Sequence, residues 1–267
     1  MPDFISSGAA RLAVIEAGQG TPLLCAHAGV ADKRMWLPQL DGLKGDHRVI
    51  AFDQRGFGES RYSAESFSRS ADAMAVLDAC QVPSAVLMGC SMGGRVVIDV
   101  ALNFPQRVKA LVLVAVSVSG APQPERYSPV IQARIDAAEA AEASGDLDAL
   151  NELEAQVWLD GPAAQAGRVG GALRELFLDM NGIALRAAPP GDEILNTTAW
   201  DRIGEISVPV LVIWGALDFP HIVARMQELV RRLPNARGHR MEDAAHLPGL
   251  EQPGKFNAVV QEFLRGV

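Results

Sequence analysis

Apolar runs of strand length alternate with segments of helical spacing along most of the chain. FISS, RLAVIEAG and, after a Gly-Gln-Gly turn, TPLLCAHAG predict a β-rich start. A polar stretch around Trp36 predicts a helix over about 32–44. HRVIAFD at 47–53 reads as a buried strand closed by the turn DQRGFGES. A helix is predicted at about 67–80, a strand in SAVLMGC at 84–90, a helix from SMGGRVVIDVALNFP and a strand in VKALVLVAV at 108–116. Strands separated by helical segments imply a mostly parallel sheet with helices on both faces.

The rhythm breaks after Ser119. From Gly120 to about Asn196 the chain is helix-like and rich in Ala and Glu. PVIQARIDAAEAAEASG, DLDALNELEAQVWLD and AGRVGGALRELFLDM place apolar residues at helical spacing, divided by Pro and Gly. The β/α rhythm then returns: VPVLVIWGALD at 208–218, a helix near 221–233, a short strand near 237–241 and a last helix at 253–265. The pattern predicts one α/β domain interrupted by a helical insertion.

Composition narrows the classes. The chain has 267 residues, 49% of them hydrophobic, enough for a sizeable core. A formal net charge of -8 argues against nucleic acid or an anionic membrane as partner. Cys25, Cys80 and Cys90 are odd in number, widely spaced and in apolar surroundings, which predicts buried thiols in a reducing compartment. MPDFISSGAARL has no basic n-region and no long apolar h-region, and ALVLVAV at 110–116 is too short to span a bilayer. A cytoplasmic protein is expected. No His, Cys or carboxylate group has metal-ligand spacing, and RGFGES lacks the third glycine of a dinucleotide fingerprint, Arg61 standing there. No metal and no cofactor are expected.

The candidate chemistry centres on Gly89-Cys90-Ser91-Met92-Gly93, a G-x-S-x-G sequence between a predicted strand and a predicted helix. A reversal from strand to helix within a few residues strains the central backbone, and side chains two positions away would collide with it, hence glycine. The serine hydroxyl then stands above the sheet at a helix N-terminus, which favours developing negative charge. A serine nucleophile needs a base and an orienting acid. Of the five histidines, His47 and His239 belong to strands, and His27 follows the third strand as a loop anchor. His221 could line a pocket. His246 in MEDAAHLPGLEQP lies on the loop between the last strand and last helix, the place expected for the base. Asp218 in LVIWGALDFP, 28 residues earlier, is the candidate acid; Asp243 is too near His246 in sequence and reads as solvated loop. An oxyanion site needs two backbone N–H donors aimed at one point. Met92 supplies one. Gly29 or Val30 supplies the other, with Gly29 preferred.

These motifs together resemble the α/β-hydrolase fold superfamily. HAG followed by Trp36 is similar to its oxyanion loop, with Ala28 in place of the usual glycine. DQRGFGES is similar to its D-x-R-G-x-G-x-S turn, GCSMGG to its nucleophile elbow, WGALD to its acid loop and AAHLPGLEQP to its histidine loop. The resemblance covers about residues 10–120 and 197–267. It implies a hydrolase core of residues 1–120 and 197–267, with a helical cap at 121–196. It implies a serine hydrolase that cleaves a carboxylic ester or lactone through Ser91, His246 and Asp218, by way of an acyl-enzyme. Small bacterial esterases and enol-lactonases are the branch it looks like. Alternatives are a C–C bond hydrolase of aromatic degradation, or a non-catalytic ligand-binding member of the fold. The partner expected is a small-molecule substrate, met by a monomer or homodimer, with Val30, Trp158 and His221 as candidate contacts. Leu153, Val157, Leu173 and Phe177 could line the pocket or pack. Arg126 and Arg134 are possible anion contacts.

Overall fold

Eight strands form one sheet: β1 (Phe4–Ser7), β2 (Ala10–Ala17), β3 (Thr21–Ala26), β4 (His47–Phe52), β5 (Ala85–Cys90), β6 (Val108–Val114), β7 (Val210–Gly215) and β8 (Ala236–Met241). The computed structural model describes residues 3–267; Met1 and Pro2, the start of the expected core segment, lie outside the described residues. In space the order is β1-β2-β4-β3-β5-β6-β7-β8. β2 runs antiparallel to β1 and β4, and the other pairs are parallel. β5 and β7 are buried at every position, as their unbroken apolar runs require of strands covered on both faces.

Alternation along the strands divides the interior into two cores. Leu24, Leu87, Leu113 and Val212 face one, and Leu23, Met88, Val112 and Ile213 the other. The helices are α1 (Leu37–Leu43), α2 (Arg69–Ala79), α3 (Met92–Asn103), α4 (Pro129–Ser144), α5 (Leu147–Glu154), α6 (Gly171–Leu185), α7 (Ala199–Arg202), α8 (Pro220–Arg232), α9 (Pro248–Glu251) and α10 (Pro253–Leu264). α2, α3 and α8 close the first core, and α1 and α10 the second. Each Leu-sized side chain so buried contributes about 2 kcal/mol. The three cysteines are buried and no disulfide joins them. Among the described residues no helix is long and apolar enough to cross a membrane.

Two expectations need adjustment. The helix expected over 32–44 is split into a tight turn at Lys33–Trp36, begun by the Asp32 carboxylate on the Arg34 N–H (2.9 Å), and α1. Pro38 has no N–H to extend an α-helix back through that turn. The segment between β6 and β7 carries α4, α5, a widened turn at Ala155–Asp160 and α6, but residues 161–170 and 186–198 are not helical. Gly161 breaks the helix at φ 105. The fully buried Asp160 carboxylate then gathers the loop, accepting from the N–H groups of Gly167 (2.7 Å) and Val169 (2.8 Å) and from Arg174 (3.0 Å).

Asp99 in α3 is buried, and one of its carboxylate oxygens has no hydrogen-bond partner among the described residues. Burial pushes its carboxyl up to about 6, against the pull of Arg95 and Asn196, with Glu193 adding to the rise. An acid whose folded value is raised favours folding while protonated, and that contribution is lost as pH rises from about 4 to about 6. Asp99→Asn is therefore expected to stabilise the protein at pH 7 by about 1 kcal/mol, with the gain shrinking toward pH 4. Thermal unfolding of both proteins across that range checks it; a gain independent of pH contradicts it.

Candidate active site

Ser91 is the single residue between the end of β5 and the start of α3. Its backbone lies at φ 51, ψ -113, a conformation that costs a non-glycine residue roughly 1–3 kcal/mol. Packing holds it there. A Cβ on Gly89 would sit 2.3 Å from the Gly93 carbonyl oxygen, and one on Gly93 would sit 2.1 Å from that of Ala26. The Ser91 N–H donates to Val114 O (2.9 Å), and its carbonyl accepts from the N–H groups of Ser117 (3.1 Å) and Arg95 (3.2 Å). The side chain does not cap α3, so the hydroxyl has no structural use at the helix end.

His246 and Asp218 meet as an ion pair or strong hydrogen bond, Nδ1 to Oδ2, at 2.7 Å. Both are buried. The other Asp218 oxygen accepts from the Phe219 N–H (2.7 Å), which fixes the carboxylate at the mouth of β7. The His246 N–H donates to Trp158 O (3.3 Å), and the Trp158 ring lies 4.6 Å from the imidazole. The Cys90 thiol approaches the His246 carbonyl at 3.7 Å, so the histidine loop rests against the residue preceding Ser91. No hydrogen bond joins Ser91 Oγ to His246 in this structure.

The other candidates separate clearly. His27 is fully buried with both ring nitrogens engaged, Nδ1 donating to Ala28 O (2.8 Å) and Nε2 accepting from the Gln54 N–H (2.9 Å). Burial also lowers its pKa, and a ring nitrogen that accepts an N–H carries no proton, so the ring is neutral. Asp243 is exposed and faces Lys255. Gly29 lies beside Met92: a Cβ there would be 3.8 Å from the Met92 Cβ. Neither the Gly29 nor the Val30 N–H is engaged among the described residues. Val30 is half-buried against the second core, while Val157 and Phe177 are buried packing residues. Leu153 and Leu173 are half-buried. His221, in the first turn of α8, packs its ring on Phe219 (5.4 Å) and Tyr127 (5.6 Å). Burial and Arg225 push it down to about 4, so it is uncharged at neutral pH. Arg126 is exposed, and Arg134 is committed to the carbonyls of Gly161 (3.0 Å), Pro162 (2.9 Å) and Ala164 (2.6 Å).

One feature had no signal in the chain. Arg168, on the loop after Asp160, pairs with Glu251 and donates to the carbonyls of Leu159 (2.7 Å), Asp160 (2.6 Å) and Asp243 (3.2 Å). Glu251 in turn accepts from the Ala245 N–H (2.9 Å), next to His246. The insertion thus clasps the histidine loop. Glu251 lies in HLPGLEQP, but a partner 83 residues away leaves no trace in local pattern.

A family model described as the alpha/beta hydrolase family matches residues 23–259. A candidate 2-succinyl-6-hydroxy-2,4-cyclohexadiene-1-carboxylate synthase of Bacillus subtilis (strain 168) is 30% identical, covering 98% of this chain and 97% of its own. A pimeloyl-(acyl-carrier protein) methyl ester esterase of Vibrio campbellii (strain ATCC BAA-1116) is 28% identical over 92% of this chain and 95% of its own. Among solved structures, Est816, described as an N-acyl homoserine lactone degrading enzyme, superposes with a TM-score of 0.76 at 25% identity, over 97% of this chain and 99% of its own.

Removing Arg168 would leave the Glu251 carboxylate buried without its cation, a change that costs about 3–5 kcal/mol. Burial already raises the Glu251 pKa. Arg168→Met is expected to lower the urea midpoint markedly at pH 7.5 and to recover part of the loss near pH 5, where protonation discharges Glu251. Equal losses at both pH values would show that the charge is not what the clasp compensates.

Proposed function

The chain belongs to the alpha/beta hydrolase family, and we propose that it is a serine hydrolase cleaving a carboxylic ester or lactone through Ser91, His246 and Asp218. The observation that carries this reading is the buried 2.7 Å pair of Asp218 and His246, on a loop packed against Cys90, beside a strained serine whose hydroxyl caps nothing. Two of the proteins reported above carry names of ester or lactone cleavage, which supports the same reading.

In this scheme Asp218 holds the imidazole with its proton on Nδ1, leaving Nε2 to accept the Ser91 proton as Oγ attacks the substrate carbonyl. The Met92 and Gly29 N–H groups receive the oxyanion, assisted by the N-terminus of α3. Collapse of the tetrahedral intermediate expels the alcohol oxygen, which takes the proton from His246. Water then gives a proton to His246 and attacks the acyl-enzyme, and collapse returns that proton to Ser91 and releases the acid. The strain at Ser91 keeps the nucleophile raised without a conformational step. The segment 121–196 acts as the cap, with Trp158 shielding His246 from water and Val30 and His221 as further walls. A second reading, favoured by the Bacillus subtilis relative, is a carboxylate synthase that uses the same residues.

A 4-nitrophenyl ester series and a lactone panel, run on wild type and Ser91→Ala, test the assignment. Ser91→Ala is expected to lose at least about 10³-fold in kcat. A fluorophosphonate should add to Ser91 in the wild type. Near-normal turnover by Ser91→Ala would overturn the scheme, while a labelled Ser91 with no ester or lactone turnover would favour the synthase.

A further inference from the structure

Among the described residues four cations are buried: Lys33, Arg55, Arg69 and Arg225. Lys33 pairs with Asp53 and Glu59, Arg55 with Asp72 and Glu65, and Arg69 with Glu193. Arg225, on α8, has no carboxylate partner among the described residues. It is 8% exposed, and its one hydrogen bond is a long one from Nη2 to Pro122 O (3.2 Å). Guanidinium carries five donors and stays charged in proteins, so burying one without a counter-ion costs several kcal/mol.

Arg225 lines a cavity of about 370 Å³ with Pro122, Gln123, Trp200, His221, Glu228 and Arg231. The nearby acids are committed elsewhere. Glu228 holds Arg231 at 2.6 and 2.9 Å, and Asp218 holds His246. One positive charge is left over. His221 lines the same cavity, and its buried Nδ1 has no hydrogen-bond partner among the described residues either.

We propose that Arg225 and His221 form a binding site for a carboxylate monoanion in this cavity, between the two chain segments that lead into and out of the insertion. A planar carboxylate matches the guanidinium fork, and the His221 N–H supplies a further donor. A single negative charge balances the surplus; a dianion such as phosphate would be opposed by Glu228. Pro122 and Gln123 lie on the segment leaving β6, and Trp200 lies on α7 before β7, so an anion here joins both segments to α8. Rings connect the cavity to the histidine: His221 to Phe219 at 5.4 Å, Phe219 to Trp158 at 5.0 Å and Trp158 to His246 at 4.6 Å. The carboxylate is either a separate small acid or the tail of a substrate that extends past those rings to Ser91.

Calorimetric titration with acetate and with butanoate, and thermal melts with the same anions, should be run on wild type, Ser91→Ala, Arg225→Gln and Arg225→Lys at constant ionic strength. The expected result is binding to wild type and Ser91→Ala alike, a rise in melting temperature with either anion, and an affinity at least tenfold weaker in Arg225→Gln. Arg225→Lys keeps the charge and loses the fork, so it should fall between. Without anion, Arg225→Gln should melt no lower than wild type, since it removes an unpaired buried charge. No anion binding by wild type, or equal binding by Arg225→Gln, overturns the proposal. These readouts do not depend on turnover, so they stand or fall apart from the hydrolase reading. The kcat/KM ratio of mono-4-nitrophenyl adipate to 4-nitrophenyl hexanoate then separates the two sources. A tenfold drop of that ratio in Arg225→Gln identifies a substrate tail; an unchanged ratio with anion binding lost identifies a separate acid.

Discussion

The carbonyl oxygen of Ala26 stands where a side chain at position 93 would have to be. That close approach of α3 to the end of β3 sets the geometry of the whole site. It lets α3 begin one residue after β5 ends, and so forces Ser91 into a backbone conformation that serine would not otherwise adopt. The glycines at 89 and 93 are the price of admission for that contact. The loop carrying Gly29 then lies against the Met92 side chain, beside the strained serine.

The acid and the histidine depend on a different kind of constraint. Both sit on loops beyond the strands, where no ladder fixes them. Asp218 is held by the N–H of its neighbour Phe219, and the histidine loop by contacts from other elements: the Trp158 carbonyl, the Arg168–Glu251 clasp and the Cys90 thiol. Two of those three come from the insertion. A second link, Arg34 between the buried Asp32 and Asp179 of α6 (2.6 Å), ties the insertion to the loop after β3. The insertion therefore braces the histidine loop and the loop after β3.

Buried charge is balanced locally almost everywhere. Lys33 and Asp53 stabilise the turn after β4, Arg55 and Asp72 join that turn to α2, and Asp160 with Arg174 organises the loop of the insertion. Where matching is this consistent, an unmatched group carries information. Burial pushes the Asp99 carboxyl up to about 6, so it can shed its charge in mild acid. Arg225 has no such route, because a guanidinium stays protonated in proteins.

Strands, helices and the elbow were legible along the chain because each is a local property: apolar period, chain reversal and the backbone freedom of glycine act over a few residues. The order Ser91, Asp218, His246 was legible too, since each follows a recognisable strand. What each histidine pairs with depends on three dimensions. His27 and His246 both follow a strand on a loop, but His27 has both nitrogens occupied within its own neighbourhood, while His246 meets a carboxylate 28 residues away. The Arg168–Glu251 clasp, the full commitment of Arg134 to backbone carbonyls and the isolation of Arg225 share that character. Charge in a sequence is only a count of groups, and whether a group is paired, buried or left over depends on which distant loops the fold sets against it.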